Sequence, residues 1–97
     1  MKDKDGIKKR MLKEGFSIIY EYDDPPGELY PDHDHPRDQL LVVLKGSMEV
    51  KMSGKTSVVR EGEEIFFPAK VVHSAKIGPE GCSYIDGERP TDLGRVK

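Results

Sequence analysis

The chain has 97 residues, of which 35% are hydrophobic and 35% charged, and its net charge is −2. This length fits a single domain over residues 1–97 with a small core at about 16–86. The mixed charges exclude nucleic acid and anionic membranes as expected partners, and no apolar run is long enough to span a bilayer. Because the N-terminus is charged where a signal peptide would be apolar, we expect a cytoplasmic protein.

The first elements in chain order are a short helix and a strand. Apolar residues at i, i+4 and i+5 within 5–13 indicate one or two helical turns, and Gly15 is a suitable stop. Apolar and polar residues then alternate over 16–23, which is typical of a strand. The Asp-Asp-Pro-Pro-Gly sequence at 23–27 favours a turn before the next extended segment.

The middle of the chain is predicted to form three strands. The nearly continuous apolar run at 39–45 predicts a strand that is covered on both faces. We expect a tight turn at 46–47, followed by an alternating strand over 48–52 with one face in solvent. A hairpin turn at 53–55 then leads into a return strand over 56–60.

Shorter strands complete the predicted fold. They are separated by turns at 61–63 and 78–81 and occupy 65–67, 71–77 and 82–86. The tail from Gly87 is polar and is expected to be frayed or packed at an edge. Seven or eight short strands, regular turn signals and almost no helix predict an all-β sandwich or barrel.

The three histidines suggest one metal site. His33 and His35 are two apart in an extended segment, so their imidazoles can face the same ion. Gln39 shares their parity and offers a coordinating oxygen, and a barrel would bring His73 back across its interior. We therefore predict a site at His33, His35, Gln39 and His73, with Asp38 as the alternative fourth ligand.

Two spaced motifs carry a family resemblance. Gly27-x5-His33-x-His35-x3-Gln39-x6-Gly46 resembles the first motif of the cupin superfamily, and Gly62-x5-Pro68-x4-His73 resembles the second. The resemblance implies a small single-domain cupin with a double-stranded β-helix, the cupin jelly-roll barrel, to which this chain would add a short N-terminal helical turn. It also implies a divalent transition metal inside the barrel, which could be Zn, Fe, Mn or Ni, bound by His33, His35, residue 39 and His73.

Three positions depart from the family pattern. Gln39 stands where Glu is usual, Lys70 where Gly is expected, and Ile77 where Asn is expected. A neutral Gln39 leaves the ligand set without formal charge, which favours an anionic or chelating oxygen ligand on the metal. The His-x-His-Pro-x-x-Gln sequence is similar to a subgroup that includes uronate-linearising cupins, in which the Gln is a ligand.

The predicted function is metal-dependent chemistry on, or binding of, a small oxygenated molecule such as a sugar acid, keto acid or diketone. Lewis-acid isomerase or lyase chemistry is the first hypothesis. A non-haem iron dioxygenase and a non-catalytic ligand-binding module are the alternatives, so the sequence leaves open whether the protein is an enzyme. Tyr84, Tyr30 and Arg37 are the candidate catalytic residues.

A homodimer is also expected. The family resemblance implies it, and the apolar run at 40–44 has two faces. One face should fill the barrel, whereas the other needs a cover that so short a chain would not supply internally.

Overall fold

A computed structural model describes residues 3–90, which form one helix and six strands. The elements are α1 (Lys4–Lys13), β1 (Ile18–Asp24), β2 (Leu29–His33), β3 (Gln39–Met52), β4 (Lys55–Arg60), β5 (Glu64–Phe67) and β6 (His73–Glu88). Every strand pair is antiparallel, which confirms the all-β prediction. Within the described residues, no helix is long and apolar enough to cross a membrane.

Two long strands, β3 and β6, organise the barrel because each contributes to both of its halves. In the first half, residues 82–88 of β6 lie between β1 and residues 39–46 of β3, and β5 flanks β3. In the second half, residues 73–77 of β6 lie between β2 and residues 48–52 of β3, and β4 flanks β3. The result is the predicted jelly roll, whose two four-stranded halves share both long strands.

The predicted turns at 46–47 and 78–81 are wrong, because β3 and β6 run through them without a break. Gly46 and Gly81 adopt φ values of 80° and 82°, a conformation that lets each strand bend and still continue. The two bends are in contact, since a Cβ atom at Gly46 would lie 2.0 Å from the carbonyl oxygen of Gly81. Instead of the seven or eight short strands expected from the sequence, residues 3–90 form six strands, two of which are long.

Other local predictions are confirmed. The N-terminal helix begins at Lys4, where the Asp3 side chain caps it by accepting a hydrogen bond from the Gly6 N–H at 3.2 Å. Gly15 follows the helix with a φ of 92°, as its role as a stop requires. Ser53 and Gly54 have φ values of 54° and 74° and close the hairpin between β3 and β4.

The chain supplies its own cover for both faces of the apolar run in β3. The inner cluster between the two halves contains Leu41, Val43, Met48, Val50, Val59, Phe67, Ile77, Cys82 and Tyr84. On the outer face, Ile7 and Met11 of α1 and Phe16 pack against Leu40, Val42 and Ile85. The expectation that the outer face needs a partner is therefore wrong, and the homodimer stays a prediction without support from this run.

The start of the C-terminal tail is packed rather than frayed. Gly87 and Glu88 belong to β6, and the guanidinium of Arg89 lies 4.3 Å from the centroid of the Phe16 ring. Arg89 also donates to Asp38 at 3.0 Å, which ties the tail to the loop before β3. Residues 91–97 of the predicted tail lie outside the described residues.

Candidate metal centre

The barrel brings the three histidines together. His33 ends β2 and His73 begins β6, and the two are partners in the β2–β6 ladder, so their rings lie 4.4 Å apart between centroids. His35 lies in the loop that follows β2 rather than in the strand, and its carbonyl accepts a hydrogen bond from the Lys70 N–H at 2.7 Å. One ligand atom from each histidine lies within 4.8 Å of the other two. The group can therefore hold a metal ion.

A backbone carbonyl selects the tautomer of each of the three rings. Each Nδ1 lies within hydrogen-bond distance of the carbonyl oxygen of a residue two positions away: Pro31 for His33 (2.7 Å), Arg37 for His35 (3.0 Å) and Val71 for His73 (3.0 Å). Because a carbonyl only accepts, Nδ1 carries the hydrogen in each contact, so in the neutral ring Nε2 is the nitrogen with the lone pair. A neutral imidazole held by a carbonyl in this way is the form that binds a transition metal.

Burial differs among the three histidines, since His33 is exposed, His35 is half-buried and His73 is buried. His73 is only 4% exposed, and its ring stacks on Phe67 with centroids 4.2 Å apart. This burial lowers the pKa of His73 below its usual value. Nε2 of the half-buried His35 has no hydrogen-bond partner among the described residues. An unsatisfied buried acceptor costs about 1–3 kcal/mol, and a bound metal would satisfy it.

Gln39 supplies a second buried acceptor of this kind. Its Nε2 donates to Oδ1 of Asp86 at 2.7 Å, so the hydrogen bond fixes which end of the amide is nitrogen. Its Oε1 is buried and has no partner in the described part of the chain. Three imidazole nitrogens and one amide oxygen are donors that suit Zn, Fe, Mn or Ni, so the residues present fit a divalent transition ion.

The carboxylate of Asp38, the alternative fourth ligand, is engaged elsewhere. Its Oδ1 accepts a hydrogen bond from the Ala69 N–H at 2.8 Å, and its Oδ2 pairs with Arg89 at 3.0 Å. Asp38 also does not line the pocket that the histidines border. Its contacts are those of a residue that holds the loop before β3 in place.

The histidines border a small cavity of about 250 Å³ inside the barrel. Its lining is Tyr22, Tyr30, His33, His35, Gln39, Leu41, Met48, Phe67, His73, Ala75, Tyr84 and Asp86. Aromatic and aliphatic side chains make up most of this wall, and none of these residues is a lysine or arginine. A metal would therefore be the main source of positive charge for a bound molecule.

The candidate catalytic residues have partners that restrain them. The hydroxyls of Tyr30 and Tyr84 both donate to Oδ2 of Asp24, at 2.7 and 2.6 Å. Burial, with the hydrogen bond to Asp24 second, raises the pKa of Tyr30 to about 12 and that of Tyr84 further, so both phenols stay protonated. Arg37 donates to Glu88 at 3.2 Å and is not part of the cavity lining.

Asp86 is the site residue that the sequence reasoning missed. It is 4% exposed and lines the cavity, and burial raises the pKa of its carboxyl group to about 6. The signal was available, because Asp86 shares its strand parity with the buried Cys82 and Tyr84. A charged residue at an inward position of a buried strand is uncommon, and a functional role is one explanation for it.

Solved structures with the same fold include three informative relatives. An RmlC-like cupin from Shewanella frigidimarina has a TM-score of 0.70 and 26% identity, over 81% of this chain and 70% of that one. The DMSP lyase DddQ from Ruegeria pomeroyi has a TM-score of 0.69 and 25% identity, over 80% of this chain but only 40% of that one. KdgF from Halomonas sp. has a TM-score of 0.64, over 79% of this chain and 73% of that one, and at 20% identity it shows the fold alone.

The sequence itself identifies the family. No curated protein gives a significant match to the chain, and the predicted His-x-His-Pro-x-x-Gln subgroup stays a prediction. The family model for the cupin domain, however, matches residues 20–87, a range that includes the three histidines and Gln39. The double-stranded β-helix and its cluster of three histidines agree with this match. The chain therefore belongs to the cupin domain family.

Proposed function

We propose that the protein binds a divalent transition metal through His33, His35, Gln39 and His73, and that it acts on a small oxygenated molecule that coordinates the metal. The observation that carries this proposal is a pair of buried acceptors that have no hydrogen-bond partner within residues 3–90, Nε2 of His35 and Oε1 of Gln39. Both belong to residues that line one small cavity together with the other two histidines. A bound ion would polarise a carbonyl or carboxylate oxygen as a Lewis acid.

The cavity favours a keto acid or diketone over a sugar acid. A volume of about 250 Å³ suits a small molecule, and the aromatic wall offers apolar contact to its body. A sugar acid would bring several hydroxyls that need hydrogen-bond partners when they are buried. The hydroxyls of Tyr30 and Tyr84 already donate to Asp24, which leaves the wall few donors for such a ligand.

Isomerase or lyase chemistry also needs a group that moves a proton. Among the residues that the structure describes, Asp86 provides the only carboxyl group in the cavity lining, so it is the residue that would accept or return the proton. The relative from Ruegeria pomeroyi is a lyase, which fits this class of reaction. Tyr30 and Tyr84 stay protonated and already donate to Asp24, so neither tyrosine would serve as the base.

Thermal unfolding of the apo and Zn²⁺-loaded protein tests the proposal. We expect a short 2-keto acid and a β-diketone to raise the melting temperature only when metal is bound, because a ligand that binds the native state stabilises it by mass action. His73→Ala should abolish the shift. Val72→Ala, at a neighbouring residue that is 53% exposed, should keep it.

A shift that is the same without metal, or that survives in His73→Ala, would contradict the proposal. Any ligand that binds is then incubated with the loaded protein and followed by NMR. Conversion of the ligand would support an enzyme, whereas binding without conversion would leave a metal-dependent ligand-binding module and remove the catalytic part of the proposal.

A further inference from the structure

We infer that Asp86 is a positioning residue for the metal site. It holds the amide of Gln39 so that the oxygen, and not the nitrogen, is the atom that can coordinate the metal. It also supplies a negative charge one hydrogen bond away from the ligands. This inference rests on the proposed function, since it assumes that Gln39 is a ligand. It is separate from proton transfer by the same carboxyl group and can be measured without turnover.

The strand register builds the contact between the two residues. Gln39 on β3 lies opposite Glu88 on β6, and Asp86 lies opposite Leu41 two residues along. Gln39 and Asp86 are thus diagonal neighbours on the same face of two paired strands, within reach of a hydrogen bond. Their 2.7 Å contact is held by a continuous ladder rather than by a flexible loop.

The contact permits one orientation of the amide. A carboxylate accepts hydrogen bonds, so Nε2 of Gln39 must face Asp86. Rotating the amide by half a turn would place Oε1 against the carboxylate, two acceptors in contact, and would also lose a charge-assisted hydrogen bond. The other end of the amide, Oε1, therefore stays available as a metal ligand, since it has no hydrogen-bond partner among the described residues.

Asp86 also changes the charge of the site. Three neutral imidazoles and an amide carry no formal charge, but Asp86 is 4% exposed and adjoins Gln39, where solvent screens its charge weakly. Glu88, the next carboxylate on β6, is paired with Arg37 at 3.2 Å, whereas the hydrogen bond that Asp86 accepts within the described part of the chain comes from the neutral amide of Gln39. The charge of Asp86 is thus available to attract a divalent ion without occupying a coordination position.

Three variants separate the effect of Asp86 on the orientation of the Gln39 amide from the effect of its negative charge. Asp86→Asn keeps an acceptor oxygen and removes the charge, and Asp86→Ala removes both. The double variant Gln39→Glu/Asp86→Asn moves the negative charge onto the ligand itself. Asp24→Asn is the matched control, because Asp24 is a partly buried carboxylate whose partners are Tyr30 and Tyr84.

Zn²⁺ affinity, measured by competition with a chromophoric chelator, is the first readout. We expect Asp86→Asn to weaken binding about 10-fold and Asp86→Ala about 100-fold, the range typical for residues that support metal ligands. The Zn²⁺ affinity of the double variant should return to within a few fold of the wild-type value, and that of Asp24→Asn should equal the wild-type value. The visible absorption of bound Co²⁺ should shift in both single variants at Asp86, since it reports on the ligands themselves.

The outcomes distinguish this role from the metal site itself. Wild-type affinity and an unchanged Co²⁺ spectrum in Asp86→Asn and Asp86→Ala would overturn the role of Asp86 and leave the metal site intact. If the double variant binds Zn²⁺ as weakly as Asp86→Asn does, the proposed effect of the Asp86 charge on Zn²⁺ affinity is overturned. A wild-type protein that binds no Zn²⁺ would overturn both the role and the proposed function. If Asp86→Ala fails to fold, the isosteric Asp86→Asn and the double variant carry the test.

Discussion

Replacing Asp38 with alanine should cost stability but not metal affinity. The variant loses a hydrogen bond from the Ala69 N–H to a charged oxygen, worth about 1.5–3 kcal/mol. The ion pair with Arg89 adds only about 0.5 kcal/mol, because its two side chains are 32% and 43% exposed. We therefore expect the free energy of unfolding to fall by about 2 kcal/mol, which corresponds to a melting temperature lower by about 10 °C in a domain of this size.

Urea unfolding with a chelator present isolates this effect from stabilisation by bound metal. Zn²⁺ competition then measures affinity in the same variant, and we expect a change of less than about three-fold. Gln39→Ala is the matched comparison, since it removes the neighbouring proposed ligand and should weaken Zn²⁺ binding at least about 10-fold. An Asp38→Ala variant with wild-type stability and strongly weakened metal binding would refute the assignment of Gln39 and favour Asp38 as the ligand.

Three further expectations concern the fold. Met11→Ala should lower the free energy of unfolding by about 3 kcal/mol, because Met11 is 0% exposed, whereas Leu12→Ala, at 55% exposure, should change it little; equal losses in urea unfolding would contradict the packing of α1. Gly46→Ala should cost about 3 kcal/mol or more, since its Cβ would lie 2.0 Å from a carbonyl oxygen, and a folded variant of wild-type stability would disprove the close approach. Burial raises the pKa of Cys82 from 9.0 to about 11, so its contribution to stability is fully present below pH 9 and is lost as the pH rises through 11. Unfolding midpoints should fall more steeply over that range in the wild type than in Cys82→Ala, and equal slopes would be inconsistent with this shift.

The sequence predicts the fold class well because hydrophobic periodicity and turn chemistry are local. The helix at the N-terminus and the hairpin at Ser53 and Gly54 are each determined by a few neighbouring residues. The bends at Gly46 and Gly81 are different, because glycine marks both a turn and a bent strand. Only the contact between the two bends, across a long stretch of chain, distinguishes these possibilities.

The cover on the outer face of β3 was not predicted for the same reason, because it too depends on a contact between residues far apart in the chain. The apolar residues of α1 were visible in the sequence, but no local pattern says which surface a short helix packs against. The structure places Ile7 and Met11 over Leu40 and Val42, so the apolar run is buried within the chain. Pairings of this kind depend on the tertiary arrangement and not on periodicity.

The candidate site divides in a similar way. The spacing of the histidines and the family resemblance predict that His33, His35 and His73 lie together. In the structure, one ligand atom from each lies within 4.8 Å of the other two. The parity of Asp86 with Cys82 and Tyr84 indicates an inward side chain, but its contact with Gln39 follows from the β3–β6 register, which the sequence does not show. Lys70, which stands where the family resemblance implied glycine, has a φ of 67°, the left-handed conformation that explains the preference for glycine at this position.

A crystal structure of the Zn²⁺-loaded protein, with anomalous diffraction at the zinc edge, would identify the ligands of the metal. The proposed four-ligand site predicts one strong peak in the barrel, with Nε2 of His33, His35 and His73 and Oε1 of Gln39 at about 2.0–2.2 Å from the ion. A peak bound by the carboxylate of Asp38, or the absence of any peak among the three histidines, would contradict it.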